Sequence, residues 1–106
     1  MELELGMYVR TKKGKIYKFE SNNSMAKNGA KKYMVNCSYN IIDLIEVGDY
    51  VNDYKVSFKG NDYRPFVQCD YPVEEGTINH YRFYEETIYS IVTKEQFESM
   101  SYKVGE

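Results

Sequence analysis

The sequence predicts an all-β protein built from two related halves, and three observations support this fold class. A motif near the amino terminus, residues 3–9, returns at residues 45–51. Apolar and polar residues alternate along most of the chain, whereas apolar spacing typical of a helix is rare. Twelve of the 106 residues are tyrosines, which favour strands because the ring packs on neighbours while the hydroxyl reaches water.

The repeat indicates a duplication. Leu3-Glu4-Leu5-Gly6-Met7-Tyr8-Val9 and Ile45-Glu46-Val47-Gly48-Asp49-Tyr50-Val51 share glycine, tyrosine and valine in register. Further matches follow in the same order, pairing 35–39 with 67–71 and 41–45 with 88–92. We therefore expect residues 1–45 and 46–106 to fold as equivalent halves. Because each half would be marginally stable alone, we expect them to share a core or an interface.

Each strand is predicted from alternation bounded by turn residues. The expected strands are 5–10, 15–20, 32–37 and 41–46 in the first half, then 48–52, 54–59, 63–69, 80–84 and 87–92 in the second. The breaks carry residues that tolerate positive φ: Lys13-Gly14, Asn28-Gly29, Asn52-Asp53 and Gly60-Asn61. A last short strand is expected at 102–104.

The halves differ in their connections. The first half has a long, basic connection rich in serine and asparagine from Ser21 to Lys31, which we expect to be a loop. The second half carries an insertion at 72–86, with a turn at 74–76 and an extra strand from His80 to Tyr84.

One short helix is expected from Lys94 to Ser99. Thr93 can cap it, and Gln96 stands three residues later as the capping-box partner. Phe97 and Met100 would then face the core.

Composition places the chain among folded proteins, with 42% hydrophobic and 28% charged residues. No stretch approaches the roughly 18 apolar residues that a membrane span needs. The start of the chain lacks the features of a secretion signal, so we expect a cytoplasmic location. Cys37 and Cys69 are expected to be reduced, half-buried thiols. With a single histidine and no Cys-x-x-Cys pair, the sequence predicts no metal site and no cofactor.

Charge is distributed unevenly. Between Arg10 and Lys32 there are eight basic residues against Glu20 alone, whereas the rest of the chain is acidic. This asymmetry would present a basic face to one partner and an acidic face to another.

The repeated opening resembles the start of SH3-like small barrels of the KOW and Tudor kind. Both Leu5-Gly6-Met7-Tyr8-Val9 and Val47-Gly48-Asp49-Tyr50-Val51 match it, and the short helix at 93–97 has its counterpart there. The resemblance implies two tandem SH3-like halves. It does not specify a function, because small barrels bind peptides, nucleic acids or each other.

Longer strings resemble small uncharacterised proteins encoded by prophages and mobile elements of Gram-positive bacteria. These strings are residues 39–52, Tyr-Asn-Ile-Ile-Asp-Leu-Ile-Glu-Val-Gly-Asp-Tyr-Val-Asn, and 90–98, Ser-Ile-Val-Thr-Lys-Glu-Gln-Phe-Glu. The resemblance implies a genomic context and supplies no catalytic residue.

Catalysis is not expected. His80 lies among aromatic residues with no serine or cysteine nucleophile nearby in sequence, and the acidic pairs lie beside turns or strand ends. No glycine-rich phosphate loop occurs. We therefore predict a non-enzymatic protein.

Protein binding is the function that the sequence favours, because tyrosine gives a large contact area at low entropic cost. The acidic, tyrosine-bearing insertion would dock on a basic surface of a host or phage protein, as an inhibitor of a host protein such as a defence nuclease. The residues expected to bind this partner are Tyr71, Glu74, Glu75, Tyr81, Tyr84, Glu85 and Glu86.

Binding of single-stranded nucleic acid is the alternative. Basic side chains would contact phosphates while Tyr8, Tyr17 and Tyr33 stack on bases. The basic residues are Arg10, Lys12, Lys13, Lys15, Lys18, Lys31 and Lys32. Predominance of lysine over arginine and a pI near 5.5 argue against it. A structural component of a virion is a third option.

Overall fold

The computed structural model describes residues 2–21, 23–74 and 76–100. Within them the chain is mostly β, with eight strands, two α-helices and two 3₁₀ helices. In chain order these are β1 (Tyr8–Thr11), β2 (Ile16–Lys18), α1 (Ser24–Tyr33), β3 (Met34–Ser38), a 3₁₀ helix (Ile41–Leu44), β4 (Tyr50–Val51), β5 (Tyr54–Asp62), β6 (Arg64–Glu74), β7 (Thr77–Phe83), a second 3₁₀ helix (Glu85–Thr87), β8 (Ile91–Val92) and α2 (Lys94–Met100). The strand predicted at 102–104 lies outside the described residues.

The described strands form two antiparallel sheets. One has three strands in the order β2-β1-β3, and the other has five in the order β7-β6-β5-β4-β8. Both sheets are open, so neither is the closed barrel expected from the SH3-like resemblance. The prediction of a mostly β fold is confirmed, whereas the more detailed prediction of two SH3-like barrels is not.

The repeated motif folds the same way in both places. Gly6 and Gly48 both adopt positive φ, 91° and 99°, which glycine tolerates because it lacks a Cβ. The N–H of Gly6 donates to the carbonyl oxygen of Phe19 at 2.8 Å, and that of Gly48 donates to Val56 at 3.0 Å. The valine that ends each copy is fully buried. Each copy therefore turns the chain into the central strand of a sheet segment.

Strand order is also similar around the two motifs. β1 lies between β2 and β3, and β4 lies between β5 and β8. In each case the chain inserts a different element before the third strand: α1 in the first half and the β6–β7 hairpin in the second. Of the other two sequence matches, one shares structure, because 35–38 lie in β3 and 67–71 lie in β6. The other does not, because 41–44 form a 3₁₀ helix whereas only Ile91–Val92 of the matching segment is a strand.

Two element predictions are wrong, and a third is only partly right, because only Ile91–Val92 of the strand predicted at 87–92 is a strand. The connection from Ser21 to Lys31 is mostly the helix α1, and the strand predicted at 41–46 is a 3₁₀ helix capped by the side chain of Asn40. The sequence of α1 lacks large apolar residues spaced three or four positions apart, which mark a packed helix, and accordingly none of its residues is buried.

The predicted carboxy-terminal helix is confirmed, including its cap. The backbone N–H of Gln96 donates to Oγ1 of Thr93 at 3.3 Å, and the N–H of Thr93 donates to Oε1 of Gln96 at 3.1 Å. The expectation that Phe97 and Met100 face the core is wrong, because 46% and 68% of their surfaces are exposed. Phe97 instead stacks on Tyr50, with 4.4 Å between ring centroids.

Most of the buried apolar residues form two clusters. The first consists of Leu3, Met7, Val9, Phe19 and Cys37. The second consists of Ile42, Ile45, Val51, Val56, Val67 and Cys69. Both cysteines are buried free thiols. The halves share part of a core, because Ile42 and Ile45 of the first half pack in the second cluster. Arg10 of β1 adds a polar contact with the second half.

Candidate functional site

A groove of about 1020 Å³ lies between β2 and α1. Charged and aromatic side chains from three segments, the β1–β2 turn, β2 and α1, line it together. The lysines and tyrosines among them are Lys12, Lys13, Lys15, Tyr17, Lys18 and Tyr33. We call this surface the basic groove.

One backbone hydrogen bond joins the two walls of the basic groove, and a side-chain cap fixes the start of α1. At one end, the N–H of Lys12 donates to the carbonyl oxygen of Tyr33 at 3.0 Å, joining the hairpin to the last turn of α1. This bond also satisfies a helix carbonyl that has no partner within the helix. At the other end of α1, Oδ1 of Asn23 accepts from the N–H of Met25 at 2.8 Å and caps the helix.

The floor of the basic groove is apolar. Phe19 is 6% exposed and belongs to the first core cluster, against which Ala30 packs. Ala26 and Gly29 continue the same wall of α1. Small residues on this wall leave room for a ligand side chain to contact the floor.

Positive charge surrounds this floor without local neutralisation. Lys12, Lys13, Lys15 and Lys18 are all exposed, and none forms an ion pair with another described residue. Glu20 also lines the groove. The surface therefore carries a net positive charge that suits an anionic ligand.

Lysines lie over the tyrosine rings that line the basic groove. The Lys15 ammonium is 5.6 Å from the ring centroid of Tyr17, and that of Lys32 is 5.5 Å from the centroid of Tyr33. These cation–π contacts orient flexible lysine side chains along the groove. The sequence-based grouping of these lysines with Tyr17 and Tyr33 therefore corresponds to one physical surface.

Comparison with models of protein families, with curated proteins and with solved structures gives no match.

The expectation that Arg10 belongs to the exposed basic surface is wrong. Its side chain is 1% exposed and points to the second half, where it pairs with Asp49 and Glu95. Burial alone lowers the pKa of Arg10, but hydrogen bonds to Asp49 and Glu95 outweigh this effect and raise it. Alternation on β1 places Arg10 on the face opposite Val9, and this face is covered by Asp49 and Glu95 of the second half instead of being open to solvent.

Two further lysines that were predicted to bind nucleic acid, Lys31 and Lys32, lie at the end of α1. Lys31 pairs with Glu2 at 2.6 Å, and this contact lowers the pKa of Glu2. Lys32 lies next to the basic groove, above Tyr33. Both lysines are in the last helical turn, where positive charge is favoured by the helix dipole.

The three tyrosines predicted to bind a basic partner fall on two faces of the sheet around β6 and β7. Tyr71 and Tyr81 stack with 4.0 Å between ring centroids and pack against Tyr54. A hydrogen bond with Tyr71 raises the pKa of Tyr81 to about 12. Tyr81 lies opposite Cys69, on the face that also carries buried apolar residues.

Tyr84 belongs to the other face. Its ring contacts Phe66 and lies 4.2 Å below the guanidinium of Arg64. Arg64 also pairs with Glu86 at 2.5 Å. A backbone hydrogen bond, and to a smaller extent this contact with Arg64, lower the pKa of Glu86. The structure therefore places a positive charge within the expected acidic surface.

The remaining acidic residues of that set are dispersed. Glu85 is exposed in the second 3₁₀ helix, and Glu74 lies at the end of β6. Glu75 lies outside the described residues.

His80 pairs with Asp70 on the exposed surface of β6 and β7. Its Nδ1 lies 2.6 Å from Oδ1 of Asp70, which also accepts a hydrogen bond from Oγ of Ser57 at 2.9 Å. The histidine and the serine both contact Asp70 rather than each other, and their contacts lower the pKa of this carboxyl. The described residues contain no group of histidine, cysteine, aspartate and glutamate side chains that could hold a metal ion.

Neither helix in the described part of the chain has the length and hydrophobicity needed to cross a membrane.

Sequence reasoning missed the wall that α1 supplies to the basic groove. The available signal was local: Asn23 precedes Ser24 as a helix cap, and Lys31-Lys32 ends the helix with positive charge. Asn28 and Gly29 instead indicated a turn. Without α1, the lysines of the β1–β2 hairpin would lie on an open strand surface, and there would be no groove with an apolar floor.

Proposed function

We propose that this protein is a non-enzymatic, cytoplasmic protein-binding module, and that its basic groove binds an acidic segment of a partner protein. One observation carries this proposal: four exposed lysines without ion pairs surround an apolar floor in a single groove. The lysines would attract carboxylates, and the floor would accept the apolar side chains between them.

The apolar floor favours a polypeptide over a nucleic acid. Phosphates and sugars make little use of the surface that Phe19, Ala26 and Ala30 provide, whereas aliphatic side chains bury against it. Lysine also lacks the forked geometry with which arginine binds phosphates. Single-stranded nucleic acid remains the second candidate, favoured by the position of Tyr17 and Tyr33 beside lysines.

Docking of the β6–β7 hairpin on a basic partner is a separate proposal with less support. Glu86 is already paired with Arg64, so part of the expected negative charge is neutralised. The exposed portion of Tyr81 and the exposed Glu85 are the features that still support it.

The origin of the fold is also a proposal. We propose that the halves descend from one SH3-like unit and that the protein belongs with prophage or mobile-element accessory proteins. The matching turns at Gly6 and Gly48 support the first part. Inhibition of a host protein, such as a defence nuclease, is the more specific role proposed for a protein of that origin.

Binding of a defined peptide tests the proposed function. The probe is a peptide of alternating glutamate and valine, measured by calorimetry over a range of salt concentrations. We expect binding that weakens as salt rises, because screening reduces attraction between exposed charges. The Lys15→Gln/Lys18→Gln double variant should bind weakly, whereas Lys27→Gln/Lys55→Gln, which removes two lysines outside the groove, should bind like the original chain.

Two comparisons make the result decisive. A peptide with glutamine in place of glutamate should not bind, because it retains valine but lacks charge. Binding of oligothymidine without binding of the acidic peptide would replace the proposal with the second candidate. Absence of peptide binding at low salt would overturn it.

A further inference from the structure

β2 is an edge strand that faces the basic groove. It lies at one end of the three-stranded sheet, and no described residue pairs with it on its outer side. Exposed strand edges bind extended peptides by adding a strand, in which main-chain hydrogen bonds supply affinity and alternate side chains supply specificity.

The hydrogen-bond register defines which groups of β2 point outward. The N–H of Phe19 donates to Met7 at 2.7 Å, and the N–H of Thr11 donates to Lys15 at 2.9 Å. Because antiparallel bonds alternate, the pair between them, Val9 and Tyr17, also exchanges its bonds across β1 and β2. The N–H and C=O groups of Ile16 and Lys18 therefore point away from β1.

The opposite edge of the same sheet is closed at the equivalent position. There, the outward N–H of Cys37 is satisfied by Oδ1 of Asn36 at 2.9 Å. No described side chain satisfies Ile16 or Lys18 in this way. At equivalent positions, the outward N–H of β3 is therefore already bonded, whereas the outward N–H groups of Ile16 and Lys18, beside the basic groove, are not bonded by a described side chain.

Lysines restrict what can occupy this edge. Lys15 and Lys18 flank the outward groups and would repel the β2 edge of a second copy of this chain, since like charges directly opposite each other are unfavourable. An acidic strand would be attracted by the same side chains.

We infer, on the basis of the proposed function, that the partner segment binds as an additional β-strand on β2, with acidic and apolar side chains in alternation. One set of side chains faces α1 and contacts Tyr17, Ala26 and Ala30. The other set emerges on the face of Lys18. The outward N–H and C=O groups of Ile16 and Lys18 bond to the main chain of the added strand.

Selective N-methylation of the probe peptide tests this mode. Neighbouring residues of a strand direct their N–H groups to opposite sides, so methylating all valine nitrogens and methylating all glutamate nitrogens block different edges of the peptide. We expect one methylated peptide to lose about tenfold or more in affinity, as expected for loss of main-chain hydrogen bonds, and the other to bind nearly normally.

Amide exchange measured by NMR gives a second readout on the protein. The amides of Ile16 and Lys18 should become protected when the unmethylated peptide binds, whereas Tyr17, already bonded to Val9, should change little. Strand addition alone would be overturned by the following result. The peptide binds in a salt-sensitive, lysine-dependent way, but both methylated peptides bind equally well and the amides of Ile16 and Lys18 gain no protection. Failure of the unmethylated peptide to bind would instead overturn the proposed function and this inference together.

Discussion

Arg10 and Asp49 form a buried, bidentate ion pair between the two halves of the protein. Nη1 of Arg10 lies 2.5 Å from Oδ2 of Asp49, and Nη2 lies 3.0 Å from Oδ1. The side chains are 1% and 0% exposed. The carboxylate also accepts from the backbone N–H groups of Glu46 and Lys94 at 2.7 and 2.9 Å. One aspartate thus connects the first sheet, the second copy of the repeated turn and the start of α2.

We predict that Asp49→Asn strongly destabilises the protein. The substitution keeps the shape of the side chain but removes the charge, so the buried guanidinium keeps only the partly exposed carboxylates of Glu95 and Glu46 nearby. Loss of one partner of a buried pair costs about 3–5 kcal/mol, and Glu95 should hold the loss near the lower end, about 3 kcal/mol. The free energy of unfolding in urea measures it.

Lys94→Gln is the matched control for Asp49→Asn. It breaks an exposed pair with Glu46, 2.7 Å long, at the edge of the same network. Exposed pairs contribute less than about 1 kcal/mol. Equal losses in the two variants would contradict a structural role for the buried pair.

Gly14→Ala and Gly29→Ala should have opposite effects on stability. Gly14 has φ of +87°, and a Cβ there would lie 2.2 Å from Oγ1 of Thr93 and 2.9 Å from Cβ of Glu95. We therefore expect a loss of more than about 1 kcal/mol. At Gly29, within α1, no atom lies within 4 Å of an added Cβ, and alanine should stabilise the helix by about 0.5–1 kcal/mol.

Thermal unfolding of the two glycine variants measures both effects. A stabilising Gly14→Ala would show that the hairpin does not pack on α2 as described. A destabilising Gly29→Ala would show that α1 is not helical at that position.

The sequence predicted the parts of the fold that depend on neighbouring residues. The repeated motif predicted that residues 3–9 and 45–51 resemble each other, and both copies form a glycine turn that leads to a buried valine. The strands predicted at 5–10 and 48–52 nevertheless included Gly6 and Gly48, which lie in these turns. The cap at Thr93 was also predictable, since its partner Gln96 is three residues away. In both cases, the interacting groups lie within one short segment.

Features that depend on distant contacts were missed. Arg10 follows Val9 on an alternating strand, which predicts exposure, and its burial is explained only by Asp49, 39 positions later. The helix α1 has no buried residue, so its sequence lacks a packed face. The lysines that line the basic groove were grouped from their closeness in sequence. The groove itself depends on α1 and thus was not predicted.

Thr93→Ala should cost more than Gln96→Ala, although both disrupt the cap of α2. Oγ1 of Thr93 accepts from the N–H of Gln96 and also donates to the carbonyl oxygen of Gly14 at 2.8 Å, joining α2 to the β1–β2 turn. Loss of a capping side chain costs about 1–2 kcal/mol, and the buried carbonyl of Gly14 would add to this. Gln96→Ala removes one bond to a backbone N–H.

Urea unfolding of both cap variants, with Thr93→Ser as control, separates these contributions. Serine retains the hydroxyl, so Thr93→Ser should recover most of the stability lost in Thr93→Ala. If serine and alanine destabilise equally, the hydroxyl contacts do not account for the effect.

The Cys69 thiol should be unreactive at neutral pH. Burial, followed by the nearby negative charge of Asp70, raises the pKa of Cys69 to about 11, and the thiolate is the reactive form. Because the folded state disfavours the thiolate, this group's contribution to stability is complete below the ordinary thiol pKa. It is lost as pH rises from that value towards about 11.

Alkylation with iodoacetamide, located by mass spectrometry, should therefore modify Cys69 slowly at neutral pH and faster as pH approaches 11. The same thiol in urea should titrate at its ordinary pKa. Rapid alkylation of the folded protein at neutral pH would contradict the burial of Cys69 between β5 and β7.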